Sequence, residues 1–342
     1  MIRQKRGFEL QFHWIFVLVA GGLIIAFFFA FAVKQRSVSV EKLSLTLSAD
    51  VENILTSAYV SSGTAQVLPV PPQGIAFECS EGCDCFFRIS RASRPFGGKV
   101  MFAPSFLEDE DLVVWSVPWN VPFRATNFLF VTNPLVKYFF VYDPSDSFGS
   151  SLVSKLQKVI PESVDACFVS SSDVVVNEGF SLTRFVFLNI EPYSLDASFK
   201  KADVSAVSVG PSVVTFYEKP GHELVFTPVS TSGYSGLPMV LAAVFSNDAV
   251  MFECNVKSAF RRLSYVSGIY ADRARKLQSL ASSFGRVCVY EPSVNYLEDM
   301  SGVARQLSES IDVSALSRFS SLIGDLDRVN RDVIEQSCPE LF

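Results

Sequence analysis

Apolar residues along the chain form first one long run, then short alternating runs, and finally a helical repeat. The long run covers residues 12–33 and includes a single ionisable side chain, His13. At 1.5 Å per residue, a helix of this length can cross the ~30 Å hydrocarbon core of a bilayer. We therefore predict a transmembrane anchor in residues 1–36, with the lipid bilayer contacting residues 12–33.

The residues flanking the apolar run predict the orientation of this anchor. A cleaved signal peptide would have a shorter apolar stretch of ~7–15 residues and a small-residue cleavage site, which Lys34-Gln35-Arg36 does not provide. Arg3, Lys5 and Arg6 precede the run, so the positive-inside rule favours a cytoplasmic N-terminus and an extracytoplasmic body. The absence of an Asn-x-Ser/Thr sequon favours the opposite orientation.

The pattern changes twice after the anchor. Within residues 37–63, apolar positions between Val40 and Tyr59 recur at helical spacing, which predicts an amphipathic helix or stalk that continues from the anchor. Residues 64–135 then read as a small β-rich unit. Its predicted strands are Gly74 to Cys79, Asp84 to Ser90, Lys99 to Phe102, Leu112 to Val117 and Phe128 to Val131.

Residues 136–342 alternate strand and helix patterns, which predicts an α/β unit with a partly parallel sheet and C-terminal helices. The overall fold class is therefore mixed α+β or α/β. The predicted strands are Lys137 to Asp143, Ala166 to Ser170, Phe185 to Ile190, Val204 to Val209, Val213 to Glu218, Met239 to Phe245 and Arg286 to Tyr290. The predicted helices are Ser150 to Ile160, Val256 to Ala281 and two after Val294, with Asp312 as an N-cap between them.

Composition narrows the possible functions. The chain has 29 Lys and Arg against 35 Asp and Glu, a net charge of -6, so it lacks the positive field that would attract a nucleic acid. Only 2 histidines are present, which argues against histidine-based catalysis and multi-histidine metal sites. No nucleophile motif of the G-x-S-x-G type occurs. We therefore predict a protein without enzymatic activity and without a resident cofactor, apart from a possible magnesium ion.

The candidate magnesium site is the segment Asp143-Pro144-Ser145-Asp146-Ser147, which follows an apolar strand. Ligands of α/β sheets bind at such strand ends, and hard cations prefer oxygen ligands. The D-x-S-x-S spacing resembles the cation loop of von Willebrand A-type domains. That resemblance implies a metal bound by Asp143, Ser145 and Ser147, with Asp248 from a later element as a further acidic ligand. The same residues also form a good turn and helix start, so a purely structural role is the alternative.

The 7 cysteines include a cluster at Cys79, Cys83 and Cys85. A hairpin with a three-residue loop would place Cys79 opposite Cys83, close enough for a disulfide. We expect that bridge if the body is exported and free thiols if it is cytoplasmic. A zinc site is the alternative, although the spacing does not supply four ligands.

Two further resemblances concern larger parts of the chain. The start MIRQKRGFELQF resembles a type IV prepilin, in which a basic leader is cut after glycine, here between Gly7 and Phe8. The segments KRGFELQFHWIF, VPWNVPFRATNFLFVTNP and AAVFSNDAVMFECNVKSAFRRL are similar to uncharacterised archaeal proteins with a single membrane anchor. This second resemblance implies an archaeal source and a membrane location, and it implies no catalytic residues.

Three functional hypotheses follow. The leading one is a non-enzymatic, single-pass membrane protein that binds protein partners or takes part in an assembly at the cell envelope. The second is a domain for ligand binding or adhesion that depends on a divalent cation. The third is a pilin-like subunit.

Overall fold

The computed structural model describes residues 6–61, 63, 65–69, 74–108, 111–284 and 287–342. It begins with one continuous helix, α1, Arg6–Val60. The segment Trp14–Ala32 is long and apolar enough to cross a membrane, and none of it is buried in the body. Farther along, Val51, Leu55 and Ala58 are buried against the body. The helix predicted to continue from the anchor is therefore confirmed, with its apolar face packed on the β-rich region.

The region after α1 contains two four-stranded sheets, ordered β1-β7-β8-β5 and β4-β3-β2-β6. Most neighbours are antiparallel, while β5 and β8 run parallel. The five strands predicted here are present; the others are short edge strands of two to four residues that leave little pattern in the sequence. The strands are β1 Gln66–Leu68, β2 Ile75–Cys79, β3 Cys85–Ile89, β4 Ala92–Pro95, β5 Val100–Phe102, β6 Phe106–Leu107, β7 Leu112–Asn120 and β8 Arg124–Thr132.

The remaining strands form a six-stranded sheet ordered β10-β9-β11-β12-β13-β14. The first four strands in this order are parallel and the last two are antiparallel, which confirms the predicted partly parallel sheet. The strands are β9 Val136–Tyr142, β10 Ala166–Ser170, β11 Leu182–Leu188, β12 Val204–Val209, β13 Val213–Glu218 and β14 Thr227–Gly233. The helices are α2 Ser147–Val159, α3 Leu237–Phe245, α4 Ala249–Ser283, α5 Glu291–Glu309 and α6 Val313–Glu335.

Two predicted strands are wrong. The run Met239–Phe245 lies in α3, where each of its residues is buried. A short apolar run fits a buried strand and a buried helix equally well, and Pro238 in the first turn favours the helix. Residues 287–290 are not a strand either; Cys288 is bonded to Cys338, and the Tyr290 hydroxyl donates to the Pro339 carbonyl.

One hydrophobic core joins the β-rich region to the six-stranded sheet, with α3 at its centre. The Phe245 ring lies 4.8 Å from Trp115 of β7, 5.6 Å from Phe130 of β8 and 4.7 Å from Tyr138 of β9, measured between ring centroids. A second, smaller core covers the other face of the six-stranded sheet and includes Phe185. Both faces of the sheet are therefore buried, as parallel sheets require.

Gly149 allows α2 to lie against the ends of β9 and β11. A Cβ atom at this position would lie 3.0 Å from Asp146 Oδ2 and 3.2 Å from the Leu188 carbonyl oxygen. The second of these contacts is with backbone that belongs to a central strand and cannot easily move. The close approach of α2 to the sheet therefore depends on the absence of a side chain at Gly149.

We expect Gly149→Ala to lower the free energy of unfolding by about 1–3 kcal/mol, although alanine is the better helix former, because the new methyl group pushes α2 off the sheet. Gly302→Ala in α5 is the matched control, since nothing lies within 4 Å of its Cβ position. That variant should be about 1 kcal/mol more stable than the parent. Urea unfolding of both variants measures the difference, and a stabilised Gly149→Ala would contradict the packing described above.

Candidate functional site

The carboxyl ends of β9 and β11 lie side by side where the connections leave the sheet in opposite directions. From β9 the chain passes through α2 to β10, which lies on one side of β9. From β11, on the other side of β9, the chain continues in the opposite direction to β12. In open α/β sheets such a switch point is the usual place for a ligand. The structure places the D-x-S-x-S segment there, because Asp143 directly follows β9.

Hydrogen bonds within this segment define a turn that begins a helix. Asp143 Oδ1 accepts from the Ser145 amide at 2.8 Å and from the Ser145 hydroxyl at 2.7 Å. These two bonds hold the pKa of Asp143 below its ordinary value because they stabilise the carboxylate. Asp146 is the N-cap of α2; its Oδ2 accepts from the Gly149 amide at 2.7 Å and from Asn189 Nδ2 at 3.2 Å.

Asn189, directly after β11, also lies at this edge of the sheet. It follows the last residue of the strand and has a left-handed backbone, with φ of 56°. Its side-chain amide joins the end of β11 to the start of α2 through Asp146. Asn and Asp adopt this conformation more readily than other residues with side chains. We did not predict a role for Asn189, although a single Asn after an apolar strand is a typical turn signal.

The structure does not bring Asp248 to Asp143, Ser145 and Ser147. Asp248 is the N-cap of α4, and its Oδ1 accepts from the Met251 amide at 2.8 Å. Asp248 lies near Arg184. In the strand register, Arg184 of β11 lies opposite Tyr138, which is in the first half of β9, whereas Asp143 follows the last residue of β9. The predicted fourth ligand is therefore at the amino edge of the sheet, because the apolar run before it is a helix and not a strand. Within the described part of the chain, no group of three or more His, Cys, Asp or Glu side chains could hold a metal ion.

Arg184 is a buried cation that the sequence analysis missed. It is only 3% exposed, and its Nη1 donates to Ser205 Oγ at 2.9 Å and to the Asn247 carbonyl at 3.1 Å. Its Nη2 donates to the Ala243 carbonyl at 3.1 Å, so the guanidinium caps the C-terminal end of α3. Burial lowers the pKa of Arg184 to about 10, against the opposing effect of Tyr138 and Asp248, and the side chain stays charged at neutral pH.

One signal in the sequence could have revealed Arg184. Arg184 is the third residue of β11, and every residue of the strand from Phe185 onward is apolar and buried. A cation within a buried strand requires several acceptors nearby, because an unpaired buried charge is costly. The structure supplies one carbonyl of α3, one carbonyl of the junction between α3 and α4, and one hydroxyl.

The cysteines pair differently from the prediction. The bonds are Cys79–Cys85, Cys83–Cys254 and Cys288–Cys338, so the predicted Cys79–Cys83 bridge is absent. Cys79 lies directly opposite Cys85 in the β2–β3 ladder, because the hairpin loop holds residues 80–84 instead of three residues. Cys83 has a left-handed backbone, with φ of 64°, and is bonded to α4. Among the described cysteines, Cys167 is the one with a free thiol.

Comparison with known proteins gave no matching family model, no matching curated protein and no matching solved structure. The fold therefore defines the chain only as a mixed α+β protein, with one candidate membrane-spanning helix among the residues that the structure describes. The archaeal, von Willebrand A-type and prepilin resemblances stay predictions from sequence.

The separation of the two acidic residues predicts different responses to magnesium. We expect Asp248→Ala to lower stability by about 1 kcal/mol, with or without magnesium, because the variant loses the N-cap of α4. If magnesium raises the unfolding temperature of the parent protein, Asp143→Ala should abolish that rise and Asp248→Ala should retain it. Thermal unfolding with and without magnesium chloride measures both effects. Loss of the magnesium response in Asp248→Ala would show that the two residues act at one site.

Proposed function

We propose that this chain is a single-pass membrane protein whose body lies outside the cytoplasm and binds partners or takes part in an envelope assembly. The observation that carries the proposal is the division of α1 into two parts. The part around Trp14–Ala32 is apolar and has no protein cover, and the part around Val51 and Leu55 is packed into the core. A helix that is apolar on all sides requires an apolar surrounding, which a bilayer provides.

The disulfides support the proposed side of the membrane. Cys83–Cys254 joins residues 171 apart in the chain, and Cys288–Cys338 joins residues 50 apart. Such bonds persist in oxidising compartments and are rare in the cytosol. By constraining long loops of the unfolded chain, each stabilises the fold by roughly 2–4 kcal/mol. An extracytoplasmic body would keep this contribution, whereas a cytoplasmic body would lose it.

A role in binding is favoured over catalysis by what the polar groups at the switch point do. Asp143 accepts hydrogen bonds from Ser145. Asp146 caps α2 and also accepts a hydrogen bond from the Asn189 side chain. These bonds keep the edge rigid and present its hydroxyl and carboxylate oxygens in fixed positions. A rigid polar edge suits recognition of a ligand, while an acid or base in catalysis requires a titrating group near the operating pH.

A divalent-cation-dependent ligand-binding or adhesion function is the second candidate. It is favoured by the position of Asp143 at the switch point and by the convergence of its Oδ1 with the Ser145 hydroxyl oxygen at 2.7 Å. Oxygen atoms from Asp143, Ser145 and Ser147 would form one side of a magnesium site, and a partner would supply the remaining ligands. Asp248 has no part in this version of the proposal.

A pilin-like subunit is the third candidate. It is favoured by the single unbroken helix of 55 residues, whose uncovered N-terminal part could pack against other copies instead of lipid. Cutting between Gly7 and Phe8 would be required. The surroundings of both residues lie outside what the structure describes, so this candidate rests on the sequence pattern and on the continuity of α1.

Cysteine labelling tests the proposed orientation. In intact cells, a membrane-impermeant maleimide should label Cys167 without prior reduction, and the six bonded cysteines only after reduction. Mass spectrometry of the peptides gives each site, and Cys167→Ser should remove all labelling before reduction. A cytoplasmic protein with accessible thiols serves as the control for intact membranes. Labelling of all seven cysteines that needs permeabilised cells and no reductant would place the body in the cytoplasm.

The intact mass of the purified protein separates the leading proposal from the pilin-like one. A retained anchor gives a chain that begins at Met1 or Ile2, because nothing removes its basic leader. Processing as a prepilin gives a chain that begins at Phe8. A mass that lacks the whole apolar segment would contradict both, because the segment would then be a cleaved signal.

A further inference from the structure

An open cavity of about 480 Å³ lies between the loop of the β2–β3 hairpin and α4. Cys83 and Asp84 of the loop line it on one side, and Cys254 and Asn255 of α4 line it on the other. Every residue of the loop, residues 80–84, is exposed. The Cys83–Cys254 disulfide crosses from the loop to α4. A molecule in solution can therefore approach this bond from the Cys83 side.

The three disulfides differ in their access to such a molecule. In thiol–disulfide exchange, a thiolate must reach one sulfur atom of the bond. Cys288 and Cys338 are only 7% and 8% exposed, so their bond is closed to solvent from both sides. Cys79 and Cys85 are each half-buried. Cys83 is the exposed member of the six bonded cysteines, which makes it the preferred point of attack.

The two disulfides of the hairpin also differ in what they hold together. Cys79 and Cys85 lie opposite each other in the β2–β3 ladder, with their Cα atoms 4.1 Å apart. The ladder keeps them in these positions whether or not the bond is formed, so opening it leaves the hairpin unchanged. Cys83–Cys254 instead joins two elements that are 171 residues apart in the chain. Its opening removes the covalent link between them.

Few contacts besides the disulfide hold the loop to α4. Among the described residues, no ion pair joins the two; the ion pairs of α4 are made within the helix and with Glu298. In the same part of the chain, the polar contact of the loop with α4 is between the Ser80 carbonyl oxygen and Cys254 Sγ, which are 3.8 Å apart. The Ser80, Cys83 and Asp84 amides donate within the loop. Once the disulfide opens, the loop is free to leave α4.

The strands of the hairpin are held independently of this bond. Phe77 of β2 and Phe87 of β3 are buried in the main core, and their ring centroids lie 6.4 Å apart. Asn255 Nδ2 of α4 lies 3.8 Å from Cys79 Sγ and 3.9 Å from Cys85 Sγ, at the ends of the two strands. The loop can therefore move while the strands stay in place.

We propose that the Cys83–Cys254 disulfide is a redox-sensitive link, which an external dithiol opens to release the hairpin loop from α4 at the wall of the cavity. One thiolate of the dithiol attacks Cys83 Sγ and forms an S–S bond there. The electron pair of the Cys83–Cys254 bond leaves with Cys254 Sγ, which takes up a proton. The second thiol of the dithiol then displaces Cys83 as a thiol. The dithiol is oxidised to a disulfide, while the link gains two electrons and two protons.

This inference rests on the proposed extracytoplasmic body, where the disulfides form. The reductant is then a protein with paired thiols on the same side of the membrane. The experiments below start from protein whose disulfides are already formed. Their failure would count against the redox-sensitive link and not against the proposed location, which labelling in intact cells tests separately.

Reduction of the full-length protein in detergent tests the order of opening. The oxidised protein is treated with dithiothreitol under argon, free thiols are alkylated at successive times, and mass spectrometry of the peptides gives the reduced fraction at each cysteine. Cys83 and Cys254 should be reduced about tenfold faster than the cysteines of either other disulfide, because Cys83 is the accessible one. Cys167, which is free at the start, is the reference for complete alkylation.

Hydrogen–deuterium exchange tests what the opening does. The variant Cys83→Ser/Cys254→Ser lacks the link and gains no thiol. Amides of residues 80–84 should exchange at least about tenfold faster in it than in the oxidised parent, while those of β2 and β3 should exchange as in the parent. Cys79→Ser/Cys85→Ser is the matched control, and its loop should exchange as the parent's does. The partly reduced parent gives the same comparison without a substitution.

Three outcomes would overturn the proposal. If Cys79–Cys85 or Cys288–Cys338 is reduced first or at the same rate, access does not single out Cys83. If the loop exchanges equally with and without the link, the opening releases nothing. If β2 and β3 also exchange faster without the link, the bond is a structural support of the whole hairpin.

Discussion

The structure depends on the burial of α3. The residues from Met239 to Phe245 are inaccessible to solvent on every side, so sheet or helix must cover each face of this helix. That requirement joins the β-rich region to the six-stranded sheet, because Phe245 contacts rings from both. The end of a buried helix also has carbonyl groups that water cannot reach. Arg184 donates to one of these, the Ala243 carbonyl, and to the Asn247 carbonyl just after the helix, which explains why a cation lies within an apolar core.

The elements predicted from sequence were those whose pattern is local. The structure agrees with the predicted long apolar helix and its amphipathic continuation, with the longer strands, and with the two C-terminal helices divided at Asp312. Asp312 accepts from the Ser314 and Ala315 amides as an N-cap should. The features that were missed depend on tertiary structure. The run at Met239 has no period that distinguishes a helix from a strand, and its assignment as a strand also misplaced Asp248.

The same limit explains the cysteines and the candidate site. The partner of Cys83 is 171 residues away, and no local spacing encodes a contact of that range. The position of Asp143 at a strand end could be predicted from the sequence because an apolar run stops there. By contrast, the neighbours of Arg184 come from β12, α3 and the α3–α4 junction. They meet only after the sheet has formed and α3 has packed on it, so their combination is a property of the fold.

The continuity of α1 has a mechanical consequence. Ser44 is the first buried residue after Ala32 among those whose burial the structure describes, and between these two residues the helix rises by roughly 18 Å at 1.5 Å per residue. With lipid around Trp14–Ala32, this stretch is a rigid spacer instead of a flexible linker. The body is then confined to a thin layer at a set height above the bilayer, which raises its effective concentration toward molecules held at that height. If α1 spans a bilayer as proposed, its length therefore helps to decide which neighbours in the membrane the body can reach.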